Sequence, residues 1–223
     1  MKLPFKETPL KLIRSALVVT SLLIFGVLLY IFVLTNYFHS INYGKGTLYY
    51  NFNKGGECSL EIDGKINGSL EDAFHDILKK SGQYDCKSYQ LSLNSGGGNM
   101  AIAMRLGDII KSKDMTTIVL DKCKSSCMYL FISGKTRIAS KYSVLGMHQP
   151  ADVDTGVCIT PISIPKNNPD YFKGLQQYVD ARLGHKAGEF YTNKDNLASC
   201  KEMLQIDNEE FQRNGIIKTL TDD

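Results

Sequence analysis

This 223-residue sequence has no surplus charge outside its first few residues. The formal total is +3, and Lys2, Lys6, Lys11 and Arg14 against Glu7 supply all of it before residue 15. The remainder of the chain nets to zero, so the fold offers no phosphate-attracting field and nucleic acid is excluded as a partner. The glycines at 96–98 come without a phosphate-loop lysine and without the G-x-G-x-x-G spacing, which argues against a nucleotide site. Cys123 and Cys127 lack the second ligand pair that a structural zinc needs. No cofactor is therefore implied. No period recurs strongly enough to indicate a repeat array, and between Ser15 and Phe38 there is no charged side chain at all.

That uncharged stretch is the first positive signal. About 20 apolar residues suffice to cross a bilayer core of ~30 Å as a helix, and basic residues ahead of it hold the N-terminus in the cytoplasm. Thr35, Asn36, Tyr37, Phe38 and His39 come next without a small-residue cleavage site, so an uncleaved anchor is expected rather than a signal peptide. The expected organisation is a cytoplasmic tail at 1–14, a single transmembrane helix at 15–38, a linker at 39–57 rich in Gly, Asn and Tyr, and one domain at 58–223. The membrane is thus an expected partner, with the domain periplasmic or otherwise extracytoplasmic. Six cysteines (58, 86, 123, 127, 158 and 200) are an even number, suited to a compartment where disulfides form. Cys58 and Cys86 each precede a strand-like run and would bridge if those strands are neighbours. The other pairings stay open.

The domain reads as strands alternating with helices. Ser59 to Ile66 alternates. Ser69 and Asp72 suggest a capping box ahead of Leu70, Ala73, Phe74, Ile77 and Leu78. Ser88 to Leu93 and Thr116 to Leu120 are further strands, with a helix over Met100 to Lys111 between them. This order predicts an α/β fold with a largely parallel sheet covered by helices. Asn94 to Gly98 and Asp121 to Cys127 then fall after strand ends, where helix N-termini gather ligands. Asp170 to Leu183 reads as a helix, and Gln149 to Asn168, with Pro150, Pro161 and Pro165, as a loop over the site.

Three segments lie in a suggestive order: Leu93-Asn94-Ser95-Gly96-Gly97-Gly98, Cys123-Lys124-Ser125-Ser126-Cys127, and Gly146-Met147-His148-Gln149-Pro150. Together they resemble the Clp protease proteolytic subunit and its exported, membrane-anchored relatives. The likeness spans Cys58 to about Leu220 and is close over residues 91 to 150. It implies a ClpP/crotonase-like α/β fold of repeated β-β-α units behind the transmembrane helix. It also implies a serine peptidase acting on polypeptide substrates and a homo-oligomer. A serine hydroxyl needs an imidazole within ~2.6 to 3.2 Å to become a nucleophile, and the matching residues are Ser125 and His148. The Cys-x-Ser-x-Cys pattern of the exported relatives selects Ser125 over Ser126. The resemblance assigns the oxyanion donors to the N–H groups of Gly97 and Ser126, a pair of the kind worth ~3 to 4 kcal/mol per donor. Gly96 departs from the family, where proline is usual. For the third triad position it points near 194–197, where Asp195 is the nearest carboxylate. Asp180 is a second candidate, and a Ser-His dyad a third arrangement. Asp207 to Ile216 resembles the short helix that precedes the family's final strand, with Asp207 as cap and Gly215 as terminator.

Two further readings compete. A Ser-Lys peptidase, resembling signal peptide peptidase A and its shorter relatives, would use Lys166 as a desolvated base. A catalytically silent relative would bind peptides or a membrane partner in the same groove.

Overall fold

The structure, a computed structural model, describes residues 18–28, 39–151, 158–159 and 170–222. The chain divides into two units, Met1–His39 and Ser40–Asp223. In the first, residues 18–28 form a helix, α1, with exposed apolar side chains such as Leu22, Leu23 and Phe25. The rest of the expected anchor lies outside the described residues, and among the described residues no helix is long and apolar enough to cross a membrane.

In the second unit, alternation of apolar side chains lays out a seven-stranded sheet. Its strands are β1 (His39–Asn42), β2 (Gly46–Phe52), β3 (Glu57–Gly64), β4 (Ser88–Asn94), β5 (Thr116–Val119), β7 (Thr136–Ser140) and β10 (Thr219–Thr221), in the order β1-β2-β3-β4-β5-β7-β10. From β3 to β10 neighbouring strands are parallel. The crossovers are helical, as parallel pairing requires: α2 (Gly68–Ser81) joins β3 to β4 and α3 (Met100–Ser112) joins β4 to β5. A second sheet of β6 (Lys122–Lys124), β8 (Val144–Met147) and β9 (Leu204–Gln205) has the order β6-β8-β9. Between the strands lie α4 (Cys127–Ile132), α5 (Tyr171–Leu183), α6 (His185–Leu197) and α7 (Asn208–Arg213). The architecture is thus mixed α/β, with Leu60, Ile62, Leu91, Leu93, Phe74 and Leu106 among its fully enclosed side chains.

The expected linker at 39–57 is corrected by the fold: it supplies β1, β2 and the first residue of β3. Leu48 and Tyr50 point inward from β2 in the period-2 pattern of a strand, and β2 pairs antiparallel with β3 from Gly46–Gly64 to Phe52–Cys58. The glycines that suggested a linker serve the turn and the pairing. Gly46 lies so close to Gly64 that a Cβ on either would meet the other's backbone at under 3 Å. The expected capping box at Ser69 is also corrected. Asn67, in extended conformation, ends the loop, and its side chain accepts from the Leu70 N–H at 2.9 Å, so Ser69 is already helical.

Cys58 and Cys86 are bonded, joining the paired strands β3 and β4 near their starts. Cys123–Cys127 and Cys158–Cys200 are the other two bridges. At the far side of the sheet, Arg137 on β7 is buried and donates to the carbonyls of Gly134, Gly215 and Ile216, fastening the segment before β10. Asp207 caps α7 through the Glu210 N–H, and Gly215 beyond it has φ +76°, as a helix terminator requires.

Candidate active site

The glycine loop after β4 is stitched down on both sides. Ser95 N–H donates to Lys122 O and Lys124 N–H donates to Ser95 O, which lays the loop along β6. On the other side Ile66 N–H donates to Gly97 O, and Asn99 N–H to Ile66 O. Gly98 sits at φ +155°, and a Cβ there would lie 2.1 Å from Ile66 O, so only glycine fits. Gly97, at φ +97°, faces the Ser125 turn: its Cβ would stand 2.8 Å from Lys124 O and from Ser125 Cβ. Gly96 is exposed with open space around it, so its departure from proline has no steric cause in this fold.

Ser125 follows β6 in left-handed conformation, φ +55°. A non-glycine residue held there costs of order 1–3 kcal/mol and persists because its surroundings enforce it. Here they do so on three sides: the Ser125 N–H donates to Gly146 O at 2.8 Å, its carbonyl accepts from Met128 N–H at 2.9 Å, and the Cys123–Cys127 bridge spans the turn. Ser125 is half-buried. Ser126 is 3% exposed and its Oγ is enclosed, without a hydrogen-bond partner among the described residues. An attacking oxygen must be reachable, so geometry separates the adjacent serines. The Ser126 N–H, at the start of α4, has no acceptor among the described residues.

Parallel pairing of β6 with β8 sets Lys124 opposite Gly146, and the chain leaving β8 delivers His148 to the same place as Ser125. Both line one cavity of about 370 Å³, together with Gly98, Asn99, Met100, Tyr129, Met147, Tyr171, Tyr191 and Asp195. Ser125 Oγ and His148 share this space without a direct hydrogen bond. His148 Nδ1 lies 2.7 Å from the Gln149 carbonyl, and Gln149 Nε2 donates to Asn196 O at 3.1 Å. The Gly97 N–H donates to Ser95 Oγ at 3.0 Å.

Asp195 lies on α6. It is 6% exposed, and burial pushes its carboxyl up to about 7. Among the described residues no hydrogen bond reaches that carboxyl. The phenols of Tyr129, Tyr171 and Tyr191 gather around it: burial first, and the Asp195 charge after it, raises those of Tyr129 and Tyr171, while at Tyr191 burial and Tyr129 come before Asp195. Asp180 is committed elsewhere, accepting from Gln176 and pairing with His185 at 3.1 Å. Lys166 lies outside the described residues.

The aromatic wall of the cavity escaped the sequence reading, since tyrosines at helical spacing look like core. The usable signal is Tyr191 four residues before Asp195, which puts both on one face of a helix.

No protein-family model and no curated protein matches this sequence. Solved structures do match its fold. A serine-to-alanine mutant of the 1510-N membrane-bound stomatin-specific protease has TM-score 0.55 and 16% identity, over 77% of this chain and 81% of that one. The lysine-to-alanine mutant of the same protease, in complex with a substrate peptide, has TM-score 0.54 and 17% identity over 77% of each chain. ClpP1 from Listeria monocytogenes has TM-score 0.56 and 18% identity, over 74% of this chain and 91% of that one. At such identities the likeness is one of fold: the chain is built like these ClpP-like serine peptidases.

Proposed function

We propose that the chain is a membrane-anchored serine endopeptidase that hydrolyses polypeptides outside the cytoplasm. The observation that carries the reading is the left-handed Ser125, set between the Gly97 loop and His148 in one cavity. The Nδ1–H of His148 donates to Gln149 O in the tautomer that leaves Nε2 free as base, so a backbone carbonyl does the orienting. Nε2 takes the Ser125 proton as Oγ bonds to the scissile carbonyl carbon. The oxyanion receives the Ser126 N–H, and the Gly97 N–H once it exchanges Ser95 Oγ for substrate. The proton then passes to the leaving amine as the C–N bond breaks. Water, deprotonated by the same imidazole, hydrolyses the acyl-enzyme and regenerates Ser125.

The uncharged run at 15–38 behind a basic tail supports the anchor, and three disulfides support an oxidising compartment. Self-association rests on the Clp protease resemblance. A silent peptide-binding relative is favoured by two observations: the Gly97 N–H is already engaged, and Ser125 and His148 are not hydrogen-bonded to each other. Catalytic contacts commonly tighten only with substrate. Fluorophosphonate labelling of the full oxidised chain, read by intact mass, decides. Labelling of wild type and Ser126→Ala, with none in Ser125→Ala or His148→Ala, is expected. Absence of labelling in wild type would establish the silent reading, and labelling that survives His148→Ala but not Lys166→Ala would move the base to Lys166.

A further inference from the structure

Among the described residues Asp195 is the one buried carboxylate of the cavity, and it does not hold the histidine. The Nδ1 that an orienting acid would take is bonded to Gln149 O. Asp195 contributes to the wall that Met100, Tyr129, Met147, Tyr171 and Tyr191 otherwise make apolar and aromatic, in the same space as Ser125. Among the described residues no donor or cation meets this carboxylate, and its burial holds it near 7. The tyrosine faces around it are surfaces on which an alkylammonium or guanidinium group gains cation–π attraction. The lysines and arginines whose ion pairs are described nearby are engaged elsewhere: Lys194 with Glu210, and Arg182 with Asp108. The cavity is of a size that takes one long side chain.

We propose that Asp195 and its ring of tyrosines form the specificity pocket beside Ser125, selecting polypeptides with lysine or arginine at the residue that supplies the scissile carbonyl. This rests on the serine peptidase reading for its consequence, though not for the binding itself. The aliphatic stem of the incoming side chain packs against Met100 and the rings, and its cationic end meets the carboxylate, which ionises to receive it. Asp195 acts here as a recognition residue, which separates it from the proton-handling pair.

The test uses diphenyl phosphonate probes that differ only in the side chain next to phosphorus, lysine against leucine, on the full oxidised chain. Wild type is expected to label at least about tenfold faster with the lysine probe, the scale of discrimination a single buried polar contact supplies. Asp195→Asn is expected to bring that ratio close to unity. A wild-type ratio of one or below overturns the proposal. So does Asp195→Asn slowing both probes in parallel, which would make the residue a support for His148. Benzamidine gives a readout independent of chemistry: it raises the Tm of Ser125→Ala, and the added Asp195→Asn removes the rise. If no probe labels wild type while benzamidine still stabilises Ser125→Ala, the peptidase reading fails and the cation pocket stands. If benzamidine has no effect, the pocket fails whatever the labelling shows.

Discussion

The two walls of the cavity are made by different means. On the Ser125 side, the glycine loop and the turn are held by ladder hydrogen bonds to β6, by a bridge between cysteines four residues apart, and by Gly97 and Gly98, where nothing larger fits. On the opposite side, His148 follows β8, Tyr171 begins α5, and Tyr191 and Asp195 share α6, joined by the Gln149–Asn196 hydrogen bond and by Cys158–Cys200 across 42 residues. The first wall is a local device fixed by its own sequence. The second exists only when α5 and α6 have docked.

Replacing Cys158 and Cys200 by alanine strikes the assembled wall and is expected to have the largest effect. Closure of a loop that long is worth about 4 kcal/mol in the chain-entropy description, and urea unfolding of the oxidised protein measures it. A loss below about 1 kcal/mol would show that α6 docks without the tether. Next comes Asp195, through pH. Its folded pKa of about 7 lies above its unfolded value of 3.8, so the unfolded state loses the proton first. Stability is therefore complete below about pH 4 and declines as pH rises to 7, by about 3 kcal/mol between pH 5 and pH 8. Asp195→Asn is expected to flatten that part of the profile and to leave the protein the more stable of the two at pH 8. A parallel decline in the variant would assign it to other groups. Removing Cys123 and Cys127 opens a much smaller ring, expected at about 2 kcal/mol. Yet the fluorophosphonate labelling rate should fall further here than with the Cys158 and Cys200 pair removed, because the Ser125 turn is released. The reverse ranking of rates would erase the distinction between the walls. Smallest is Asn99→Ala, which removes the cap on the Ile102 N–H at the start of α3, for about 1 kcal/mol by thermal melting.

The same division decides what could be read in advance. That the glycine loop, Ser125 and His148 would be brought together was legible because short segments encode their placing: a conformation only glycine adopts, a serine between two cysteines, a strand that runs into His-Gln-Pro. Pairing of Cys58 with Cys86 was legible because each cysteine announces a strand and the strands proved adjacent. β1 and β2 were not, because their glycines, asparagines and tyrosines obscure a period-2 pattern that only pairing with β3 gives meaning. The Cys158–Cys200 bridge and the tyrosine ring around Asp195 depend on how α6 packs, which no local pattern states.

Arg137 has a consequence for timing. Its guanidinium is enclosed, and two of its three carbonyl partners, Gly215 and Ile216, lie near the end of the chain, just before the strand that pairs with β7. A buried cation cannot be left waiting without partners. As the polypeptide emerges in order, β7 therefore stays provisional until residues 215–221 arrive, and the sheet closes only when β10 has paired.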